Sequence, residues 1–189
     1  MIDLLPALDQ AVNSSLAPLR HGLPLAAFRF LTTLGAEAAA LPVAVAASGL
    51  LAAGRRGGLV APLWLTLLGA EATTYGLKYL VGRPRPPTLA GVAAISPSFP
   101  SAHATVAVAL YGFLALVIAA GLPGRRALVL MGATAVILAI GASRLVLSLH
   151  YVSDVLAGYA IGGAWLWASS RWAMLRTAPR PERLGRNRR

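Results

Sequence analysis

Apolar residues run almost unbroken through five stretches of the chain, at 35–53, 59–80, 102–122, 127–143 and 155–171. Each comes close to the roughly 20 residues that an α-helix needs to cross the hydrocarbon of a bilayer. Break signals separate them. Gly54-Arg55-Arg56-Gly57-Gly58 follows the first, Gly82 with Arg83-Pro84-Arg85-Pro86-Pro87 follows the second, and Gly121-Leu122-Pro123-Gly124-Arg125-Arg126 follows the third. The pattern predicts an all-α fold, a polytopic transmembrane helical bundle of five to six spans.

The first 34 residues read differently. Leu4, Leu5, Leu8, Leu16 and Leu19 are mixed with Asp3, Asp9, Asn13 and Arg20 in a helix-compatible pattern, which predicts an amphipathic helix lying in the interface. Residues 22–34 are apolar apart from Arg29 but too short to span alone, so a sixth crossing requires that they join upstream residues. Three regions follow: an interfacial or partly embedded segment at 1–34, a membrane body at 35–172, and a basic tail at 173–189.

Composition supports a membrane setting. The chain is 57% hydrophobic and 12% charged, with a mean hydropathy of +0.69; 189 residues arranged around a water-soluble core would not hide that much Leu, Ala and Val. Lys and Arg outnumber Asp and Glu by 17 to 6, an excess that suits nucleic acid or an anionic membrane surface. The charges fall in short gaps between apolar runs and in the tail, without an aromatic-interleaved basic stripe, so the partners expected are membrane lipids and no nucleic acid. With no cysteine, disulfides and thiol chemistry are excluded.

Counting crossings puts Arg55, Arg56, Arg125, Arg126 and the Arg-rich tail on one side. The positive-inside rule makes that side cytoplasmic, and the 81–101 and 144–154 segments then face outward from the plasma membrane. Those two segments and the adjoining helix ends carry three polar clusters. In the first, Lys78 at the end of a span precedes Arg85 in a proline-stiffened loop. Such a pair can form an anion site, or simply snorkel to lipid headgroups. In the second, Ser101 stands at the N-cap position of the third span with His103 in its first turn. A helix N-terminus there can hold a phosphate oxygen, although a capping Ser and an interfacial His account for the same residues. In the third, Arg144, His150 and Asp154 lead into the fifth span. His150 and Asp154 lie four apart, on one face if helical, and a carboxylate there can fix the imidazole tautomer or serve only as a dipole partner. The coincidence of all three on one side favours a phosphoryl site, with cations for charge and two histidines for attack and protonation.

These residues resemble the type-2 phosphatidic acid phosphatase family, related in fold to acid phosphatases and vanadium haloperoxidases. The family pattern is Lys, six residues, Arg-Pro; then Pro-Ser-Gly-His; then Ser-Arg, five residues, His, three residues, Asp. Here it reads Lys78 to Arg85-Pro86, Pro100-Ser101-Ala102-His103, and Ser143-Arg144 to His150 to Asp154. Ala102 replaces the usual Gly but keeps its N–H. The resemblance implies a phosphohistidine at His150, oriented by Asp154, with His103 protonating the leaving group and Lys78, Arg85, Ser101, Ala102 and Arg144 binding the phosphoryl oxygens. It implies no metal and no other cofactor. Arg83, beside the motif, is expected to be a headgroup contact. Glu71 is expected to hydrogen-bond within the bundle, about 10 Å deeper than Lys78.

The substrate expected is a lipid phosphate. Undecaprenyl diphosphate comes first because the chain resembles short bacterial members, with phosphatidic acid or phosphatidylglycerol phosphate as alternatives. A phosphotransferase could use the same site. A lipid-binding bundle would need the cations but not a His150–Asp154 pair.

Overall fold

The computed structural model of the chain describes residues 4–87 and 96–177. The middle of the 81–101 segment and most of the basic tail, residues 178–189, lie outside the described residues. Every element described is helical: α1 (Leu4–Ser15), α2 (Gly22–Thr33), α3 (Glu37–Ala53), α4 (Val60–Val81), α5 (Ala102–Val106) continuing through a π-helical segment (Ala107–Gly112) into α6 (Phe113–Gly121), α7 (Arg126–Val146) and α8 (Val152–Thr177). The five apolar stretches coincide with α3, α4, the α5–α6 run, α7 and α8.

Two helical runs, Ala102–Gly121 and Pro123–Val146, are long and apolar enough to cross a membrane individually, and α2 with α3, bent by 47° between them, pass together. The chain is therefore a membrane protein. Helices α4 and α8 are long enough, at 22 and 26 residues, but more polar, because they pack on each other and bury their polar groups inside the bundle. Thr66 of α4 meets Ser169 of α8 at 2.5 Å, and Thr74 of α4 donates to Thr105 of α5 at 3.0 Å. A buried hydroxyl needs such a partner, and each of these bonds also fixes the rotation of one helix against the next.

Small residues set the spacing that the site depends on. A Cβ on Gly158 of α8 would come within 2.6 Å of the Ser101 carbonyl oxygen, and one on Gly162 within 2.6 Å of that of Thr105. Only hydrogen at both positions lets α8 lie directly on α5, where the Ser101 N–H donates to the Asp154 carbonyl at 3.0 Å.

Helix α4 ends at Gly82, whose φ of +62° suits glycine and whose N–H returns to the Lys78 carbonyl at 2.9 Å. The chain then leads directly into the loop carrying Arg83 and Arg85. The N-terminal segment is packed against the bundle: α1 lies against α8, and α2 against α7. Arg20 donates to the Val146 carbonyl at 2.9 Å.

Candidate active site

The three polar clusters of the sequence meet at one end of the bundle, where α4 and α7 stop and α5 and α8 begin. They surround a cavity of about 270 Å³ walled by Lys78, Arg85, Ala102, His103, Arg144 and His150, with Gly35, Glu37, Tyr75, Ser96 and Val106 completing it. Ser101 and Asp154 stand behind this wall.

The cations are held by backbone carbonyls and hydroxyls rather than by carboxylates. Lys78, 2% exposed, donates from Nζ to the Pro97 carbonyl at 2.7 Å. Arg85 donates through Nε to the Ser96 carbonyl at 2.8 Å and through one terminal nitrogen to the Leu149 carbonyl at 2.7 Å. Arg144 reaches Thr32 of α2 with a terminal nitrogen, while its buried Nε has no partner. Three cations around one small cavity repel one another, and burial makes that repulsion stronger than in water. An anion in the cavity would relieve it.

His150 lies in the turn between α7 and α8. The sequence puts it on one face with Asp154 if the segment is helical, and α8 begins only at Val152. The pair forms nevertheless, because Asp154 sits in the first turn of α8 and faces back, accepting the Tyr151 N–H at 2.9 Å. His150 Nδ1 lies 3.5 Å from Asp154 Oδ2, long for a hydrogen bond. On the other side of the ring, Nε2 lies 3.2 Å from an Arg85 terminal nitrogen. Guanidinium can only donate, so Nε2 must carry the lone pair and Nδ1 the proton, directed at the carboxylate. Burial pushes the His150 pKa down to about 4, with Arg144 and Arg85 adding to the effect against the pull of Asp154. At neutral pH the ring is uncharged, and Nε2, beside Arg85, is the unprotonated nitrogen of a residue that lines the cavity.

His103 also lines the cavity, from the first turn of α5. Its ring makes no hydrogen bond among the described residues and packs on Gly35, where a Cβ would stand 3.2 Å from the His103 Cβ. Ser101 occupies the N-cap position, as the sequence implies, yet makes no side-chain cap bond. Its carbonyl receives the Thr105 N–H and hydroxyl, and its Oγ is buried without a partner. The expected hydroxyl cap is corrected accordingly: Ser101 Oγ accepts from none of the first N–H groups of α5 and is left without a partner.

Arg83 requires a larger correction. Instead of reaching headgroups it turns inward, donating to Asp154 Oδ1 and Ser153 Oγ at 2.7 Å each and to Asp9 Oδ2 at 2.8 Å, while stacking 4.3 Å above the Tyr151 ring. Glu71 is half-buried, makes no hydrogen bond among the described residues and does not line the cavity. Its expected bond within the bundle is absent there. The acid that does reach the cavity is Glu37, which accepts from Tyr75. Asp9, Gly35, Glu37 and Thr32 escape sequence reasoning because their partners are remote in the chain. An acid on an apolar helix face, as Asp9 is, was the only signal available.

The sequence profile of the PAP2 superfamily matches residues 59–178. No curated protein matches the chain. Among solved structures, the first transmembrane PAP2-type phosphatidylglycerolphosphate phosphatase from Bacillus subtilis is similar, with a TM-score of 0.84 at 24% identity, over 93% of this chain and 89% of that one. LpxE of Aquifex aeolicus is similar with a TM-score of 0.67 at 22% identity, over 89% of this chain and 95% of that one. The profile covers α4 to α8 and with them every residue of the three polar clusters. The chain belongs to the PAP2 superfamily.

Proposed function

We propose that this protein hydrolyses the phosphate of an amphiphilic lipid through a phosphohistidine at His150. One observation carries the reading: a neutral imidazole, its proton held toward Asp154, presents an unprotonated Nε2 to a cavity walled by three cations. Phosphoryl oxygens bind to Lys78, Arg85 and Arg144, with the unpartnered Arg144 Nε and Ser101 Oγ as waiting donors and the Ala102 N–H at the helix start. Nε2 attacks phosphorus, the N–P bond forms, and the P–O bond to the lipid breaks as His103, which takes up a proton when the phosphate anion binds beside it, gives that proton to the departing oxygen. His103, now basic, takes a proton from water. The hydroxide attacks phosphorus, the N–P bond breaks, and phosphate leaves. A binding bundle would need the cations but not this tautomer.

The preferred substrate is undecaprenyl diphosphate, whose two phosphates would be matched by the three cations. A second reading, phosphatidylglycerol phosphate, is favoured by Glu37 and Tyr75 in the cavity wall. A carboxylate there repels a second phosphate and accepts hydrogen bonds from glycerol hydroxyls. The topology we propose has the cavity facing outward and the basic tail in the cytoplasm, on the positive-inside argument.

The test is phosphate release by purified protein from undecaprenyl diphosphate, phosphatidylglycerol phosphate and phosphatidic acid, with excess chelator present. No group of three or more His, Asp or Glu side chains among the described residues could hold a metal ion, so turnover is expected to persist. Loss of activity restored by Mg²⁺ would contradict this mechanism, and no release from any of the three lipids would contradict the function.

A further inference from the structure

Asp154 is fully buried, and its carboxylate is gripped from two sides. On Oδ2 it receives the Tyr151 N–H and faces His150; on Oδ1 it receives Arg83. Arg83 is in turn fixed by a residue from the far N-terminus. Asp9 of α1, 2% exposed, accepts Arg83 at 2.8 Å and holds the start of α8 as well, taking the Ser153 N–H on Oδ1 at 3.1 Å and the Ser153 hydroxyl on Oδ2 at 2.6 Å. One guanidinium thus bridges two buried carboxylates, and its plane lies over Tyr151, the residue next to His150. Arg83 does not line the cavity.

We infer that Arg83 and Asp9 are positioning residues for the reaction: α1, through Asp9 and Arg83, holds the Asp154 carboxylate in the orientation that keeps the His150 proton on Nδ1. This inference rests on the function proposed above. The physical case is one of geometry and of charge. A carboxylate fixed on only one oxygen can rotate about its last bond, whereas one held on both cannot. Two buried carboxylates close together also repel unless a cation lies between them, and a planar fork does this better than a point charge because it engages both at once. The helix that reads as an interfacial amphipath in the sequence is therefore part of the frame of the site. Its apolar positions suit the bilayer edge, and its one buried acid reaches across 74 residues to Arg83.

A frame residue and a headgroup contact differ in which kinetic constant moves. A residue that grips the substrate equally in ground and transition states raises KM when removed. One that orients the nucleophile lowers kcat.

The experiment measures kcat and KM of the full-length protein on the most active lipid phosphate of the panel, for wild type and for the variants Arg83→Lys, Asp9→Asn, the double variant and His150→Ala. Thermal unfolding in detergent checks that each is folded. Arg83→Lys keeps the charge but loses the fork, and kcat is expected to fall on the order of 10- to 100-fold, by analogy with removing the partner that orients a metal-ligating histidine, with KM within about twofold. Asp9→Asn, nearly isosteric and still able to accept the Ser153 N–H, should lower kcat in the same direction by a smaller factor. The double variant should be no worse than Arg83→Lys alone, because both act through one linkage. Unchanged kcat with a raised KM in Arg83→Lys would return Arg83 to a headgroup role, and fully multiplicative losses in the double variant would deny the linkage. Turnover surviving in His150→Ala would sink the proposed function itself. A dead His150→Ala beside normal Arg83 and Asp9 variants would sink this inference alone.

Discussion

The Arg85 guanidinium donates to His150 Nε2 across 3.2 Å, and in doing so identifies which imidazole nitrogen is free to react. The same arginine is tied to two carbonyls from separate loops, at Ser96 and Leu149. It can hold Nε2 before substrate arrives and turn to a phosphoryl oxygen afterwards without changing its anchors.

Arg85→Lys tests that arrangement. A single ammonium cannot reach both carbonyls and the ring, and it stabilises a developing trigonal phosphoryl group through fewer donors. Turnover should fall by about 10²-fold or more, as for loss of one preorganised donor, with KM raised as well. An unchanged kcat would mean that Arg85 only attracts the substrate.

The depressed His150 pKa, about 4 against an ordinary 6.5, makes a pH prediction with a definite sign. Between these values the unfolded chain binds a proton that the folded one does not, so this group subtracts stability as pH falls from 6.5 toward 4 and has no such effect above 6.5. The thermal midpoint in detergent should drop across that window, less so in His150→Gln. In kcat/KM, once substrate ionisation is divided out, the limb belonging to the nucleophile should lie near pH 4 rather than 6.5. A limb near 6.5 would show that the imidazole is not held neutral.

His103 should matter in proportion to the leaving group. His103→Ala is expected to slow hydrolysis of a lipid monophosphate by about 10²–10⁴-fold, the usual effect of a lost general acid, and to affect an activated aryl phosphate much less. Equal impairment on both would remove its role as proton donor.

How much of this was legible in the sequence depends on the distance over which each interaction acts. The spans were legible because apolar runs and their Gly, Pro and Arg boundaries are local. Lys78, Arg85, His103, Arg144 and His150 were legible because helix ends bring them to one side by counting alone. Arg83 misled, since an exposed cation and one bridging two carboxylates look alike until Asp9 and Asp154 are seen beside it. Asp9 counted among the polar residues of an amphipathic helix, and its place on the apolar side with Leu5, Val12 and Leu16 was the one sign that it turns inward. Ser101 was placed correctly at the helix start, but its hydroxyl makes no cap bond; its N–H instead donates to the Asp154 carbonyl, a contact that only the packing of α8 on α5 creates. Gly35 gave no signal, as glycine in an apolar run marks a close approach only when the neighbour is known.

Gly35 makes a packing prediction. An added Cβ would meet Ile140 Cγ2 at 2.6 Å and the His103 ring at 3.3 Å. Gly35→Ala should therefore destabilise by about 1–3 kcal/mol, as overpacking does, and should lower kcat by displacing His103. A variant as stable and active as wild type would mean that α2 and α3 yield at their bend.

The most direct test of the account is the site of the covalent intermediate. Rapid quenching of the wild-type protein with a lipid phosphate labelled on its terminal phosphate should trap acid-labile, base-stable label, and peptide mapping should place it on His150 alone. His150→Ala should show neither label nor turnover, and Asp154→Asn should bind substrate but accumulate label slowly, since its imidazole has lost the anion that orients it. Label on His103, or full turnover without label in a His150→Ala protein, would contradict the assignment of His150 Nε2 as the nucleophile.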